Sequence, residues 1–243
     1  INQNEWNRPI MLFSSQPCLR RNHVCELIGN DLVIMGGINE SNEVLNDVHA
    51  LNINFPAGIK EQWKKVEITR GVEGPYLFGH ASSLVVQKKI AESNKFSLYK
   101  YPDQERCYKL GVMIDKIKIK GLYVFGGKSK VLGTGGLSND LYVLIVGKKP
   151  CVWKKIEKIS GDRPTQRYYH SMNFFEPGNI LIVHGGRNDS FSDNFALNDT
   201  YIFDLEFFEW HRVILYSSIE GFMVIPRCAH KSVIHGNKFI IFG

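Results

Sequence analysis

Short apolar runs recur along this chain, each four or five residues long and each bounded by glycines or polar residues. Leu122-Tyr123-Val124-Phe125, Leu141 to Ile145, Leu181-Ile182-Val183-His184 and Thr200 to Asp204 are all rich in β-branched and aromatic side chains. Runs of this length and composition predict buried strands, and no long 3.6-residue amphipathic pattern competes with them. The chain is therefore expected to be all-β, built from many short strands.

The runs are organised by landmarks that return in a fixed order. The clearest unit, 163–213, contains Arg167-x-x-His170, a strand ending in Gly185-Gly186, then Asn198-Asp199, then Trp210. An earlier unit has Arg20-x-x-His23, Gly36-Gly37, Asn46-Asp47 and Trp63. A middle unit has His80, Gly126-Gly127, Asn139-Asp140 and Trp153, with Leu77 in place of the arginine. Arg227-x-x-His230 followed by an apolar run to Gly243 opens a further copy, and Trp6 with Pro17 looks like the tail of a preceding one. Self-similarity at this period marks a repeat architecture. A glycine doublet suits a strand that must end abruptly, because glycine accepts positive φ and lets another backbone approach closely.

These marks resemble the kelch repeat, whose signature is a glycine doublet after an apolar strand, a small polar pair and a later tryptophan. The resemblance implies a kelch-type β-propeller of four-stranded antiparallel blades. It predicts an outer strand and connector over 4–20, then blades over 21–69, 79–157 and 164–214. The first strands of another blade follow at 227–243. The ring is thus expected to be incomplete, three full blades with partial blades at both ends, and the rest of the propeller to come from the same polypeptide. His80 stands 46 residues before its doublet, against 13 and 15 in the neighbouring units, which predicts an insertion over 88–116 between the first two strands of the middle blade.

Composition adds limits. An apolar content of 44% supports a folded core. Five cysteines at 18, 25, 107, 151 and 228 form no C-x-x-C pair, which suggests reduced thiols and a cytoplasmic or nuclear setting. No apolar run is long enough to span a membrane. The net charge is +6, and nine Lys/Arg against four Asp/Glu between Lys88 and Lys120 supply most of it. The remainder is nearly balanced, so neither a nucleic acid nor a membrane surface is expected as partner.

The chemistry-bearing residues divide into structural and surface sets. His23, His80, His170 and His230 recur at one repeat position, which predicts a buried hydrogen bond within each blade rather than a shared metal. The glycines at 36, 37, 126, 127, 185 and 186 and the tryptophans at 63, 153 and 210 are read as structural. Glu43 with Asp47 and His49 is a looser carboxylate–imidazole cluster. No cofactor motif is present. Arg20, Arg167 and Arg227 either brace the blades or clamp acidic groups in the propeller mouth. The loops over 38–45, 128–138 and 187–197 fall at one end, which fold-level analogy makes the binding mouth. Asn42, Lys128, Arg187, Asn188 and Ser190 are expected to meet a partner there from exposed positions. The function expected is a non-catalytic protein-interaction module, an adaptor or scaffold. The alternatives are a regulatory propeller in a larger enzyme chain, such as a kelch-fused serine/threonine phosphatase, and a metal-dependent propeller enzyme.

Overall fold

A computed structural model of the chain describes residues 16–54, 63–70, 73–86, 120–132, 135–146, 149–190, 195–214 and 224–243. Trp6, the 88–116 insertion and Cys107 lie outside them. The alternating and apolar runs form antiparallel meanders. The first blade is β2 (Val24–Ile28), β3 (Asp31–Met35), β5 (Val48–Asn52) and β6 (Trp63–Lys65), hydrogen-bonded in that order. Two short strands, β1 (Arg20–Arg21) and β4 (Ile38–Asn39), pair beside it. The second blade is β7 (Ala81–Val85), β8 (Gly121–Phe125), β9 (Leu141–Ile145) and β10 (Val152–Lys155). The third is β12 (Ser171–Phe175), β13 (Ile180–His184), β14 (Thr200–Asp204) and β15 (Glu209–Val213), and β11 (Ser160–Gly161) adds to β15 in parallel. A hairpin of β16 (Lys231–His235) and β17 (Lys238–Phe242) follows. A 3-10 turn, Glu176–Gly178, links β12 to β13.

The four first strands, β2, β7, β12 and β16, stand side by side, as blades radiating from one axis require. Polar side chains stitch them together. Ser82 Oγ donates to Glu26 Oε1 at 2.8 Å, the Phe174 amide donates to Ser83 Oγ at 2.9 Å, and Asn173 Nδ2 donates to the Ser232 carbonyl at 3.2 Å. Apolar side chains enter the interblade spaces from both sides. Met35, Val48, Leu122, Leu144 and Trp153 pack between blades one and two. Phe125, Leu181, Phe203 and Trp210 close the space between blades two and three, with the Trp210 ring 5.0 Å from Phe125 of the preceding blade. Trp63 is half-buried.

The glycine doublets sit just past β3, β8 and β13, each with two positive φ angles. The first glycine lies against the next blade. A Cβ on Gly126 would come within 2.6 Å of the Arg167 carbonyl and 2.7 Å of the His170 ring, and Gly36 and Gly185 meet Leu77 with His80, and Arg227 with His230, in the same way. The second glycine lies against its own blade's histidine Cβ and donates its amide across to the following blade. Gly37, Gly127 and Gly186 thus reach the carbonyls of Leu77, Arg167 and Arg227 at 2.8–2.9 Å. Each doublet is therefore the seam between two blades. Gly126→Ala should lower stability by roughly 2–4 kcal/mol, through left-handed backbone strain and overpacking against backbone that cannot yield. A chemical denaturation midpoint close to wild type would contradict the seam.

Candidate functional site

Two layers of conserved geometry repeat from blade to blade, and a third element is left open. The first layer is an arginine clamp. Arg20 donates to both Asp47 carboxylate oxygens at 2.6 and 2.9 Å and to the Gly36 carbonyl at 3.1 Å. Arg167 makes the same fork to Asp199, at 2.6 and 2.9 Å, and reaches the Gly185 carbonyl at 3.1 Å. Arg227 donates to the Gly243 carbonyl at 3.2 Å. The asparagine of each Asn-Asp pair points the other way, onto the next blade's connector. Asn46, Asn139 and Asn198 donate to the carbonyls of Gly74, Pro164 and Val224. Blade two lacks the arginine, and there Lys155 Nζ and Arg163 Nη2 pair with Asp140 instead, at 2.8 and 3.2 Å. Burial works against the Asp47 carboxylate, but the bonds from Arg20 and His49 outweigh it and hold its pKa well below the usual range.

The second layer is an axial backbone chain. The residue before each repeat histidine is left-handed: Asn22, Gly79, Tyr169 and Ala229 have φ between 55° and 60°. Their amides and carbonyls link in series, Gly79 to Asn22, Tyr169 to Gly79 and Ala229 to Tyr169, at 3.0, 2.6 and 2.8 Å. Asn22 and Gly79 tolerate this conformation readily, whereas a tyrosine there is uncommon. Tyr169 is held by the chain and by Asn22 Nδ2, which donates to its hydroxyl at 2.8 Å.

The histidines differ from expectation. His80, His170 and His230 are buried, while His23 is exposed. None of the buried three bonds within its own blade. His230 Nε2 pairs with Ser171 Oγ of the preceding blade at 3.0 Å, the His170 ring lies against the Phe125 backbone of the preceding blade, and among the described residues neither ring nitrogen of His80 has a partner. Each of these rings packs on the first glycine of the preceding blade's doublet. Burial keeps these rings neutral. It pushes the His80 pKa down to about 3, with nearby His23 adding to the effect, and places that of His170 well below its ordinary value, aided by Arg167. His184, beside His230 at 5.5 Å, falls to about 4 through burial, with neighbouring His230 and Arg227 adding to the effect.

The surface residues read from the sequence separate just as sharply. Arg167 is fully buried, and the Arg20 side chain is 3% exposed. Both are committed to their clamps with Asp47 and Asp199. Lys128 is 4% exposed and so does not stand free at the mouth. Its Nζ meets Asp189 Oδ2 at 2.9 Å. Tyr168 donates its hydroxyl to the same carboxylate at 2.9 Å, and Arg187 donates Nε to it at 2.9 Å. The carboxylate of Asp189 is opposed by burial, yet these three donors depress its pKa. Lys128 enters this hub because its segment bridges Phe78 and Leu137 as the inner strand of the loop. Asn188 is also buried and accepts the Ser190 amide.

Still accessible at the loop end are Asn42, which accepts from Arg21, together with Arg187, Ser190 and three apolar side chains that sequence reasoning missed. Leu132 is 86% exposed, Tyr76 50% and Phe195 43%, with the Arg187 guanidinium 5.0 Å over the Phe195 ring. A cleft of about 580 Å³ lies among Asn42, Val44, Tyr76, Lys130 and Leu132. The Glu43–Asp47–His49 cluster is dispersed: His49 meets Asp47 at 2.9 Å, while Glu43 accepts from Asn39. Among the described residues no group of three His, Cys, Asp or Glu side chains is placed to hold a metal ion, and no helix is long and apolar enough to cross a membrane. The four described cysteines are free.

The family that matches residues 92–243, more than half of the chain, is described as the KLHDC2/KLHL20/DRC7 Kelch-repeats domain. The chain belongs to the kelch-repeat family. The kelch unit is similar over 93% of its length, at 25% identity, to the "Host cell factor homolog hcf-1" of Caenorhabditis elegans, of which it covers 31%. It is 28% identical over 73% of its length to "Adagio protein 3" of Arabidopsis thaliana, covering 21% of that protein. Half of it is 37% identical to a Dictyostelium discoideum protein named "Probable serine/threonine-protein kinase", of which it covers 8%. The chain thus spans less than a third of each of these kelch relatives.

Proposed function

We propose that this kelch unit is a non-catalytic protein-interaction module, an adaptor or scaffold of the cytoplasm or nucleus, and that it docks a partner protein through its loop end. Kelch repeats generally serve as interaction modules, which supports the class. The observation that carries the rest is the set of exposed anchors at that end, Leu132, Tyr76 and Phe195 beside Arg187. Aromatic residues and arginine are enriched in interface cores, where most binding energy concentrates. The hub around Asp189 holds the loops in place beneath them.

Leu132→Asp combined with Arg187→Glu should weaken partner capture at least tenfold, and Leu132→Asp alone, at a side chain 86% exposed, should weaken it while leaving the melting temperature within a few degrees of wild type. Lys128→Glu should instead lower the melting temperature, since it sets a carboxylate against buried Asp189. Unchanged capture by the double variant would overturn the docking face. A second reading, a regulatory kelch unit carried by an enzyme chain, is favoured by the likeness to the Dictyostelium protein named as a kinase. Sequencing the flanking transcript separates the two.

A further inference from the structure

Blades one and two diverge at the end opposite the loops. A groove of about 830 Å³ opens there, with Ile28, Val33, Ala50, Leu144 and Val146 on its floor and walls. The corresponding space between blades two and three is occupied. There the β14–β15 turn supplies Leu205 and Phe208, and the connector supplies Ile159, all packed into the core. Between blades one and two the connector supplies Val66 and Ile68 and the end of β9 leads into Val146, smaller aliphatic groups that pack against the core and leave the groove beside them.

The rim has the opposite character to the floor. Lys64, Lys65 and Lys149 line it, all exposed, and among the described residues none of them forms a salt bridge. The two acidic liners offset them only in part. Asp31 Oδ1 already accepts from Asn52 Nδ2 at 2.7 Å, which leaves Glu67 as the other carboxylate.

We propose that this groove is a second docking surface, independent of the loop end, and that it takes a short extended segment of a partner protein in which carboxylates flank aliphatic side chains. The aliphatic groups would meet the floor and displace water from it. The carboxylates would meet the lysine rim, where the surrounding positive potential also draws the segment in.

The test pans a random peptide library on the full chain, with counter-selection against the Lys64→Glu/Lys149→Glu variant, so that only peptides using this rim survive. The expected survivors combine two or more Asp or Glu with aliphatic residues. They should lose at least tenfold in affinity to Val146→Asp and keep it with Leu132→Asp/Arg187→Glu. Circular dichroism melting of each variant verifies that it folds. No consensus after counter-selection would overturn the proposal. So would a purely acidic consensus insensitive to Val146→Asp, or survivors displaced equally well by a single-stranded oligonucleotide, since either result describes a generic cationic surface. Failure of the loop-end variants to affect the natural partner would leave this outcome untouched, because the two faces are scored by separate substitutions.

Discussion

Lowering the pH from 7 to 5 should unfold this protein, or bring it close to unfolding. His80, His170 and His184 are buried and neutral, with pKa values driven far below the ordinary histidine value near 6.5. The unfolded chain takes up protons at these rings as pH falls through about 6.5, while the folded chain does not until far lower. The stability they permit is therefore complete above that value. It declines as pH falls toward the folded values of about 3 for His80 and about 4 for His184. At pH 5 a ring held that low costs about 2 kcal/mol, so His80 and His184 together cost on the order of 4 kcal/mol, a large part of the whole stability of a typical domain, and His170 acts in the same direction. Glu26, whose carboxyl burial raises, acts in the opposite direction, but for one group and over a lower range. Urea midpoints measured at half-unit steps from pH 7.5 to 4.5 would show a steep loss, and His170→Asn should flatten it. A midpoint constant between pH 7 and 5 would contradict the neutral histidine seams.

The second large effect is expected at Arg167. Arg167→Met keeps much of the side-chain volume but leaves the Asp199 carboxylate, 16% exposed, without its fork and the Gly185 carbonyl without its donor. Losing one partner of a buried pair costs about 3–5 kcal/mol. Adding Asp199→Asn should recover a good part of that loss, because the uncompensated charge is then gone. Blade two supplies the natural control. Leu77 occupies the arginine position and is tolerated because Lys155 and Arg163 have taken over Asp140. That pair is much more exposed, so Lys155→Met should cost only ~0–1 kcal/mol. Equal effects of Arg167→Met and Lys155→Met in thermal denaturation would refute this division of labour.

The fold was written plainly in the chain, since a glycine doublet, an Asn-Asp pair and a tryptophan recur in step with β-type apolar runs. Those marks are legible because each seam needs them. Only glycine fits at Gly126 against the Arg167 carbonyl and His170 ring, and an aspartate must follow wherever an arginine fork awaits it. The left-handed axial chain was half legible. Asn22 and Gly79 signal it, but Tyr169 and Ala229 do not, because there the backbone bonds of the neighbouring blades override local preference. Surface assignments were the least legible. A lysine between a glycine doublet and a polar loop reads as solvated, yet Lys128 is buried because Asp189, in another blade and 61 residues away, turns back toward it. Leu132 and Phe195 carry no periodic signal, and only the folded loops show that they stand exposed together.

Cross-linking mass spectrometry on the partner-bound chain, using an amine-reactive reagent, tests the central claim most directly. Lys130 is exposed on the loop end, while Lys64 and Lys154 are exposed on outer strands. Docking through the loops predicts partner cross-links at Lys130 that disappear in Leu132→Asp/Arg187→Glu. Cross-links confined to Lys64 and Lys154, and unaffected by that double substitution, would contradict it.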